Sequence, residues 1–505
     1  MVIFFAICAL LCAFVILGLI SYRLRAPLPP GPTGLPILGN LLDMPTSQEW
    51  KVFAEWGERW GGIVSVNLLG QTIIIINSFK SAMDLLDGKS SIYSDRPVLV
   101  MGGEMVGWKN SLALMRYGGR FRSYRRMMHQ FMGTRSLVER YHPIEELETH
   151  RLLRRLLRKP EDFAEHIRHT TGAIILQLAY GYKIQEQDDP FVTNADTATD
   201  QFSRTTAPGA FLVDVFPLLR FVPEWIPGAG WKRTAARWAA GTKKMCDEPF
   251  EWAKRRKAQG DSSSSFIDAH LKDNLSIQEI VNVKWAAASL YAAGADTTVS
   301  ALQSFFLTMV LHPEIQKKAQ QELDAVVGSE RLPSFSDRDN LPYINALVKE
   351  VLRWNPVAPT GLAHRVMKDD IYDGYFIPRG SFVLVNIWKL LHDEDTYKDP
   401  MAFNPARFLA SDSKSVERDP HTISFGFGRR ICPGVHLADA SLFIACAMTL
   451  AVFDISKTVE NGAVVEPVND YTSGTLSHPK PFKCSIKPRS ERAITLIRAV
   501  DSFDK

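Results

Sequence analysis

The chain has 505 residues, of which 46% are hydrophobic and 23% charged, proportions that exclude collagen-like, coiled-coil and wholly disordered proteins. The net charge of +4 is too small to indicate a nucleic-acid partner. The six cysteines include no C-x-x-C pair and do not make a disulfide framework, so a reducing compartment is expected.

Residues 2–20 form an uninterrupted apolar run. As a helix with a rise of about 1.5 Å per residue, this run would reach roughly 28 Å, close to the hydrocarbon thickness of a bilayer. Neither a basic segment before the run nor a clear small-residue cleavage site is present, so we expect a retained transmembrane anchor over residues 1–22 rather than a cleaved signal peptide. Arg23 and Arg25 follow the run, and the positive-inside rule then places the rest of the chain in the cytosol.

A proline-rich linker is predicted over residues 23–45, because prolines 29, 30, 32 and 36 prevent a continuous helix. A single body is expected over residues 46–505. Two β-rich stretches, residues 63–69 and 72–76, are joined by Gly70 and Gln71 and predict a hairpin.

The clearest helix begins at a capping box, Ser276-x-x-Glu279, and runs to His312 before Pro313. Its length of some 50 Å would span a whole domain. A second helix is predicted from Asn340 to Trp354, with Asp339 or Asn340 as its cap, and short strands follow at residues 371–377 and 382–386. The fold class is therefore mainly α with small β-sheets, and the order of elements does not fit an alternating βαβ pattern.

Residues 425–434, FGFGRRICPG, carry the most informative pattern. A lone cysteine is usually a buried packing residue. Here glycines surround Cys432 and allow backbone amides to approach a thiolate, and Arg430 could pair with a haem propionate. Average composition predicts this pattern on the order of once in 10⁴ chains of this length.

This segment resembles the cysteine loop of the cytochrome P450 superfamily of haem-thiolate monooxygenases. The resemblance implies that haem b is the cofactor, with Cys432 as the axial ligand of its iron and Arg430 as a propionate partner. It also implies that Phe425, Gly428 and Gly434 belong to the haem-binding loop. The expected structure is the cytochrome P450 fold, preceded by one transmembrane helix.

A second family motif lies inside the long helix, at residues 293–298, AGADTT. The plain interpretation is that Gly294 is a packing glycine and that the threonines bond to the preceding turn. The resemblance instead implies that the motif faces the haem, with room for dioxygen at Gly294 and Ala295. Asp296 and Thr297 would then be catalytic residues that deliver protons during dioxygen reduction.

The pattern Glu-x-x-Arg occurs three times, at Glu148/Arg151, Glu165/Arg168 and Glu350/Arg353. For the first two, an exposed ion pair within one helix is the expected explanation. Only the third is followed by Arg407 and then by the cysteine loop, which is the order of these motifs in the family. The resemblance implies that Glu350, Arg353 and Arg407 form a charge network behind the haem, although Ala406 stands where Glu is common.

Five arginines lie within residues 116–126. A solvated helix face is the plain interpretation, and a nucleic-acid patch is disfavoured. In the family, this is a Trp-Arg-x-x-Arg helix that binds a propionate and helps to dock an acidic electron donor. Phe121 stands at the Trp position, which makes Arg125 the propionate partner, and His364 and Arg365 stand where many members have another propionate contact.

No complete dinucleotide or flavin motif is present, so electrons are expected from another protein. The resemblance implies NADPH–cytochrome P450 reductase as this partner, with cytochrome b5 as an optional second donor. By family position, the substrate would contact residues 98–114, 205–222, 285–297, 357–362 and 473–477, and the uncharged stretches 285–290 and 357–362 indicate a lipophilic small molecule. Residues 216–231, rich in aromatics and proline, form either a packed surface loop or a second membrane contact.

The whole pattern is similar to fungal microsomal members of secondary metabolism, including the O-methylsterigmatocystin oxidoreductase type. This implies a single-pass protein of the endoplasmic reticulum membrane with a cytosolic catalytic domain, which hydroxylates or epoxidises a terpenoid or other natural product. Two alternatives stay open: a haem-thiolate isomerase or dehydratase that does not use dioxygen, and a haem- or lipid-binding membrane protein without turnover.

Overall fold

The computed structural model describes residues 26–186, 188–261, 263–410 and 415–499. The predicted anchor over residues 1–22 lies outside this part of the chain. The α-helices described are numbered here in chain order: α1 Glu49–Trp60, α2 Phe79–Ala82, α3 Ser90–Tyr93, α4 Gly119–Met132, α5 Arg135–Glu139, α6 His142–Arg158, α7 Phe163–Tyr180, α8 Pro190–Thr206, α9 Leu212–Val215, α10 Gly230–Ala258, α11 Phe266–His270, α12 Ile277–Leu311, α13 Pro313–Val326, α14 Pro342–Trp354, α15 Ile387–Leu391, α16 His421–Ser424, α17 Val435–Val452 and α18 Glu491–Arg498.

The strands described are short, and all of them lie in the first sixth and the last third of the chain: β1 Ile63–Leu68, β2 Gln71–Ile76, β3 His364–Arg365, β4 Asp370–Tyr372, β5 Tyr375–Ile377, β6 Phe382–Val385, β7 Phe453–Ser456, β8 Thr458–Glu460, β9 Ala463–Val465 and β10 Ser485–Pro488. One sheet has four strands in the order β1-β2-β6-β3, and the other three sheets are two-stranded. Short 3₁₀ or π turns fill several connections, at Met83–Gly88, Val100–Met105, Trp108–Asn110, Pro160–Asp162, Pro217–Phe221, Phe335–Asn340, Pro405–Phe408 and Gly428–Arg430. This content confirms the mainly α class.

The predicted first hairpin is confirmed, since β1 and β2 pair antiparallel from Ile63 opposite Ile76 to Leu68 opposite Gln71. The turn is one residue earlier than expected. It consists of Leu69 and Gly70, with φ of 54° and 93°. Two successive positive φ values are what a two-residue turn needs to match the twist of the strands, and Gly70 supplies the second without strain.

The long helix α12 is confirmed together with its capping box. The Glu279 amide donates to Ser276 Oγ at 3.3 Å, and the Ser276 amide donates to Glu279 Oε2 at 2.8 Å. The first part of α12 packs into one apolar cluster and its last part into another. The two clusters contact α12 on either side of residues 296–298, so this helix connects them.

Helix α14 begins at Pro342, and neither Asp339 nor Asn340 caps it. The free amides of Tyr343 and Ile344 instead donate to the two carboxylate oxygens of Glu322, on α13, at 2.8 and 3.0 Å. A carboxylate satisfies the unpaired amides and the positive end of a helix equally well when it comes from a neighbouring helix.

The described part of the predicted linker lies against the body and is not a free spacer. The carbonyl of Pro27 accepts from the Phe376 amide of β5 at 2.7 Å, and that of Pro30 accepts from the Ser65 amide of β1 at 3.0 Å. A Cβ at Gly31 would lie 2.0 Å from the Ser65 carbonyl oxygen, so only glycine permits this approach. Proline carbonyls thus pair with free strand amides at the sheet edge.

Among the described residues, α17 is the one helix with the length and apolar character of a membrane span. Its sequence has a mean hydropathy of 1.8, and 78% of it is buried inside the protein. Helix α17 is therefore a core helix of the body, and it follows the cysteine loop directly.

Candidate active site

A cavity of about 370 Å³ lies between helix α12 and the loop before α17. Cys432 lines one part of it, and Ala293, Gly294 and Thr297 of α12 line another. Most of the remaining wall is apolar. The structure therefore brings the cysteine loop and the α12 motif, which are about 135 residues apart in sequence, to one cavity.

Backbone geometry holds the cysteine loop tightly. The Cys432 amide donates to the Phe425 carbonyl at 2.8 Å, which closes the loop. Gly426 and Gly428 have φ of 80° and 55°. A Cβ at Gly428 would lie 2.0 Å from the Leu86 carbonyl oxygen, so Gly428 lets the loop press against the segment Met83–Gly88.

The surroundings of Cys432 act on the charged thiolate in two opposite ways. Burial raises the pKa of the Cys432 thiol, while the Gly434 amide and the positive charge of Arg125 lower it. A coordinating metal ion displaces the proton from such a thiol. Gly434 is the residue before α17, so its amide is one of the free amides at the start of that helix.

Three arginines line the cavity: Arg96, Arg125 and Arg430. Arg430 donates to the carbonyls of Ser94, Leu112 and Met115 at 2.8, 3.2 and 2.6 Å. Arg96 donates through Nε and Nη1 to the carbonyls of Ala113, Leu362 and Ala363 at 2.6–2.9 Å. Arg125 donates to the Ile431 carbonyl at 2.6 Å. Backbone carbonyls thus fix all three guanidinium groups.

No carboxylate is among the described residues that line the cavity. Burial and the charge of Arg430 lower the pKa of Arg96, although the buried carboxylate of Asp95, outside the lining, opposes them. Burial and Arg125 lower the pKa of Arg430 to about 10, again against the charge of Asp95. Such a surplus of buried positive charge favours an anionic ligand. The two propionates of a haem supply that charge, and Cys432 lies in the same cavity, so the residues present fit a haem.

Sequence reasoning missed Arg96. No pattern in its own segment marks it, and its neighbour Asp95 accepts from Arg116 at 2.9 Å. His364 does line the cavity, whereas Arg365 does not. Arg365 Nη1 lies 3.9 Å from Asp95 Oδ2, so the expectation of a propionate contact at Arg365 is corrected.

His364 is a neutral group in this setting. Its Nδ1 lies 2.7 Å from the Tyr93 carbonyl and must donate to it. Burial, Arg96 and Arg430 all lower the pKa of His364. A carboxylate placed beside His364 would raise its pKa, because an anion favours the protonated imidazole.

The third Glu-x-x-Arg forms a fully buried network. Glu350 Oε2 and Oε1 accept from Arg353 Nε and Nη2 at 2.7 and 2.9 Å, and Oε1 also accepts from Arg407 Nε at 3.1 Å. Arg407 Nη1 donates in addition to Glu417 at 2.6 Å. Sequence reasoning missed Glu417, which supplies the second carboxylate that Ala406 lacks.

The other two Glu-x-x-Arg pairs differ from the expected exposed ion pairs. Glu148 accepts from Arg151 at 2.6 Å, but Glu148 is buried. Glu165 is exposed, and Arg168 turns to Asp196 and Asp296 at 3.4 and 3.3 Å. Two carboxylates on neighbouring helices attract Arg168 more strongly than one solvated glutamate on its own helix.

The residues of the α12 motif have two kinds of neighbour, the cavity and the adjacent helix α7. Gly294 lines the cavity, but a Cβ on it would lie 2.6 Å from Ile175 Cδ1 of α7, so its small size serves helix packing. Ala295 is buried outside the cavity lining. Thr297 lines the cavity while its Oγ1 donates to the Ala293 carbonyl at 2.7 Å. Of the two residues at which room for dioxygen is expected, Gly294 lines the cavity and Ala295 does not.

Asp296 does not line the cavity, contrary to the expectation that it faces the haem. Its carboxylate lies 3.3 Å from Arg168 Nη1 and 3.2 Å from His478 Nε2. Burial raises the pKa of Asp296, but His478 and Arg168 outweigh burial and the pKa lies below its ordinary value. Two partners, Arg168 and His478, neither of them evident from sequence spacing, draw the side chain away from Thr297.

Four of the five predicted substrate segments reach the cavity. They contribute, among others, Trp108, Leu290, Thr360 and Leu476. No residue of the fifth segment, 205–222, lines the cavity as the structure describes it, and Thr199 and Phe202 of α8 take that place.

The comparisons with known proteins agree with this geometry. A sequence model of the family described as Cytochrome P450 matches residues 29–486. Cytochrome P450 monooxygenase 208 of Postia placenta is 56% identical over 476 residues, which cover 94% of this chain and 93% of that protein. Cytochrome P450 monooxygenase claR of Ampulloclitocybe clavipes is 49% identical, with 94% and 89% covered, and cytochrome P450 monooxygenase ppsD of Aspergillus oryzae is 44% identical, with 94% and 91% covered. The chain therefore belongs to the cytochrome P450 family of haem-thiolate, oxygen-incorporating oxidoreductases.

Proposed function

We propose that this protein is a membrane-anchored monooxygenase in which Cys432 holds the iron of haem b and which hydroxylates or epoxidises a lipophilic small molecule. One observation carries the proposal. Cys432, the three arginines Arg96, Arg125 and Arg430, and Thr297 line a single, largely apolar cavity. A haem bound there by a thiolate supplies dioxygen activation.

The overall reaction requires two electrons and two protons. One oxygen atom of dioxygen enters a C–H bond or a double bond of the substrate, and the other leaves as water. Within this scheme, Arg96, Arg125 and Arg430 bind the propionates, and the Glu350–Arg353–Arg407 network supports the cysteine loop. Thr297 lies at the cavity wall, and Asp296, which contacts His478 behind α12, is the second residue proposed to take part in proton delivery.

The substrate class follows from the wall of the cavity. Apolar atoms make up most of its lining, and the hydroxyls of Ser289 and Thr199 on that wall donate to backbone carbonyls of their own helices. Such a wall favours an apolar molecule with few hydrogen-bonding groups. By resemblance to fungal members of secondary metabolism, we propose a terpenoid or another natural product.

The electron donor is proposed to be NADPH–cytochrome P450 reductase, with cytochrome b5 as an optional second donor. Arg122 and Arg429 are exposed, and their guanidinium carbons lie 5.8 and 5.4 Å from the centre of the same ring, Tyr117. Arg125 of the same helix as Arg122 bonds to Ile431, next to Cys432. These contacts put an exposed cationic surface beside the cysteine loop, which suits an acidic redox partner.

Membrane attachment through residues 1–22 would place the protein on the endoplasmic reticulum with its catalytic body in the cytosol. A second membrane contact is proposed for the loop between α9 and α10. Leu218, Phe221 and Trp225 of this loop are 78%, 68% and 81% exposed. Exposed apolar side chains of this size are typical of surfaces that contact a bilayer.

The test is reconstitution of the haem-loaded protein with reductase and NADPH in lipid vesicles, with a panel of apolar precursors and products identified by mass. We expect NADPH-dependent gain of one oxygen atom by at least one precursor. Turnover that is unchanged without reductase and NADPH would favour the isomerase or dehydratase alternative, and no turnover with any precursor would favour the binding protein. Arg122→Glu with Arg429→Glu should slow reduction at least tenfold, whereas the exposed Arg158→Glu control should not.

A further inference from the structure

Glu145, near the start of α6, is a fully buried carboxyl group to which the proposed function gives no role. It is 0% exposed. Its Oε1 accepts a hydrogen bond from Ser441 Oγ of α17 at 2.6 Å, and its Oε2 has no hydrogen-bond partner among the described residues. A buried carboxylate is normally stabilised by a cation or by several donors. Glu145 has one neutral hydroxyl instead, which favours its protonated form.

Arg338 is a cation that acts on Glu145, but its hydrogen bonds go to other side chains. Its Nε donates to Asn345 Oδ1 at 3.0 Å, and its Nη2 donates to Asp439 Oδ2 at 2.7 Å. Asp439 also lies 3.1 Å from His421 Nε2. Among the described residues, no hydrogen bond joins Glu145 to this ion-paired cluster.

Glu145 therefore titrates just above neutral pH. Burial raises its pKa to about 8, and the charges of Glu146 and Asp439 act in the same direction. The hydrogen bond from Ser441 and the charge of Arg338 act in the opposite direction. A group so close to its pKa changes its protonation when the charge near it changes.

Ser441 connects this carboxyl group to the cavity. It lines the cavity together with Leu437 and Ala438 of the same helix. Helix α17 follows Cys432 closely, and Ser441 lies about two turns from the start of the helix. A hydroxyl has one proton, so while Glu145 is ionised the Ser441 proton is committed to it. When Glu145 is protonated, the carboxyl group can donate instead, which frees the Ser441 proton.

A negative charge at Glu145 opposes the addition of an electron in the cavity. Two unit charges about 15 Å apart, at an effective dielectric constant of about 20, change each other's binding equilibria about sixfold. One electron enters the cavity when the electron donor reduces the iron of a haem bound there. Reduction and protonation of Glu145 should therefore favour each other.

We propose that Glu145 is a redox-linked proton site, which takes up a proton from solvent when the electron donor reduces the haem iron from ferric to ferrous and releases that proton when the iron is reoxidised. Charge balances in this step, since one electron and one proton are added together. The inference rests on the proposed function, in which the cavity holds a haem bound by Cys432. It assigns Glu145, through Ser441, to the electron-transfer step.

The experiment measures the midpoint potential of the full-length, haem-loaded protein by spectroelectrochemical titration between about pH 6 and about pH 10. The wild-type potential should fall as the pH rises through about 8, because ionised Glu145 disfavours the added electron. We expect the proton affinity of Glu145 to rise at least threefold on reduction, which is about 28 mV for one electron. Glu145→Gln, which is neutral at every pH, should keep the potential that the wild type has at low pH and lose the inflection.

Two further variants separate this role from general effects on the fold. Ser441→Ala removes a hydrogen bond that lowers the pKa of Glu145, so the inflection should move to higher pH. Glu148→Gln is the matched control, because Glu148 is a buried glutamate of the same helix whose partners are Arg151 and Arg155. This control should keep the wild-type inflection.

Reduced-minus-oxidised infrared difference spectra detect the proton directly. The carbonyl band of a carboxylic acid should appear on reduction of the wild type at about pH 8 and be absent in Glu145→Gln. The inference is overturned by an inflection that persists in Glu145→Gln, stays in place in Ser441→Ala, or disappears in His421→Gln, where the replaced group has a pKa of about 9.

The failure of this inference and that of the proposed function are distinguishable. A wild-type potential that does not change with pH, in a protein with the thiolate band of its reduced carbon monoxide complex, would overturn the role of Glu145 alone. A wild type without that band would overturn the proposed function itself.

Discussion

The guanidinium carbon of Arg430 lies 3.9 Å from the centre of the Phe121 ring. Phe121 stands where the family has a tryptophan, and it lacks the indole N–H that could donate to a propionate. The ring instead provides a face on which Arg430 stacks, a favourable cation–π arrangement. The cysteine loop and helix α4 are thereby joined through a cation that lines the cavity, and under the proposed function the arginines make the propionate hydrogen bonds.

Removal of Arg96 should loosen haem binding. Arg96→Gln deletes a buried positive charge from the cavity wall while keeping some of the hydrogen bonds to carbonyls. A charge-assisted hydrogen bond to a propionate contributes about 1.5–3 kcal/mol, so haem transfer to excess apomyoglobin should accelerate roughly tenfold or more. Arg365→Gln, outside the cavity, is the control and should stay within about twofold. Equal acceleration in both variants would contradict the assignment.

Neutralising Glu350 should destabilise the whole body. Glu350→Gln leaves Arg353 and Arg407, both buried, without their shared counter-charge. Breaking a buried ion network in this way costs about 3–5 kcal/mol. We expect a lower Tm and weak haem incorporation on expression. Glu165→Gln, at the exposed glutamate of the same sequence pattern, should change stability by less than about 0.5 kcal/mol. A Glu350 variant as stable as this control would refute the network.

The charge cluster around His421 should make the stability of the protein fall at alkaline pH. His421 lies between Asp419, 2.7 Å from Nδ1, and Asp439, 3.1 Å from Nε2. Burial lowers the pKa of His421, but the two carboxylates outweigh it and raise the pKa to about 9. Lys349 and Arg338 face the same carboxylates at 2.8 and 2.7 Å.

Because the folded pKa of His421 is above its unfolded value near 6.5, this stabilisation is complete below about pH 6.5 and is lost as the pH rises through about 9. The Tm of the wild type should therefore fall by a few degrees between pH 7 and pH 10. His421→Gln should have a lower Tm at pH 7 and a flatter profile. Parallel profiles for the two proteins would show that His421 is not the titrating group.

Replacing Gly294 by a larger residue should lower the stability of the protein, because the added atoms would clash with Ile175. Gly294→Ala puts a methyl group 2.6 Å from Ile175 Cδ1 and 2.7 Å from its Cγ1. Overpacking of this kind costs about 1–3 kcal/mol, which exceeds the gain of up to about 1 kcal/mol from alanine in a helix. Adding Ile175→Ala should recover the loss specific to Gly294→Ala in a double-mutant cycle of thermal unfolding. Purely additive effects would contradict the contact.

Much of the site could be predicted where a short sequence pattern fixes local geometry. The capping box at Ser276 and the backbone hydrogen bond from Cys432 to Phe425 act within a few residues, so their geometry follows from the chain itself. The cap of α14 could not be found this way, because Glu322 comes from another helix. The direction of the Asp296 side chain depends on Arg168 and His478, which are 128 and 182 residues away.

Arg96 and Glu417 illustrate the same limit. Arg96 reaches the cavity because the carbonyls of Ala113, Leu362 and Ala363 converge on it, and nothing in its own segment shows that convergence. Glu417 takes the place of a glutamate that the family has next to Arg407, although it is 10 residues further along the chain. Residue types can be predicted from a motif, whereas partners chosen by tertiary packing cannot.

The most direct test of the account is the carbon monoxide difference spectrum of the reduced, purified protein. Wild-type protein should show the Soret band of a thiolate-ligated haem. Cys432→Ala should lose it, and Cys484→Ala, a half-buried cysteine outside the cavity, should keep it. A thiolate band that persists in Cys432→Ala, or a wild type that lacks one, would contradict the assignment of Cys432 as the haem ligand.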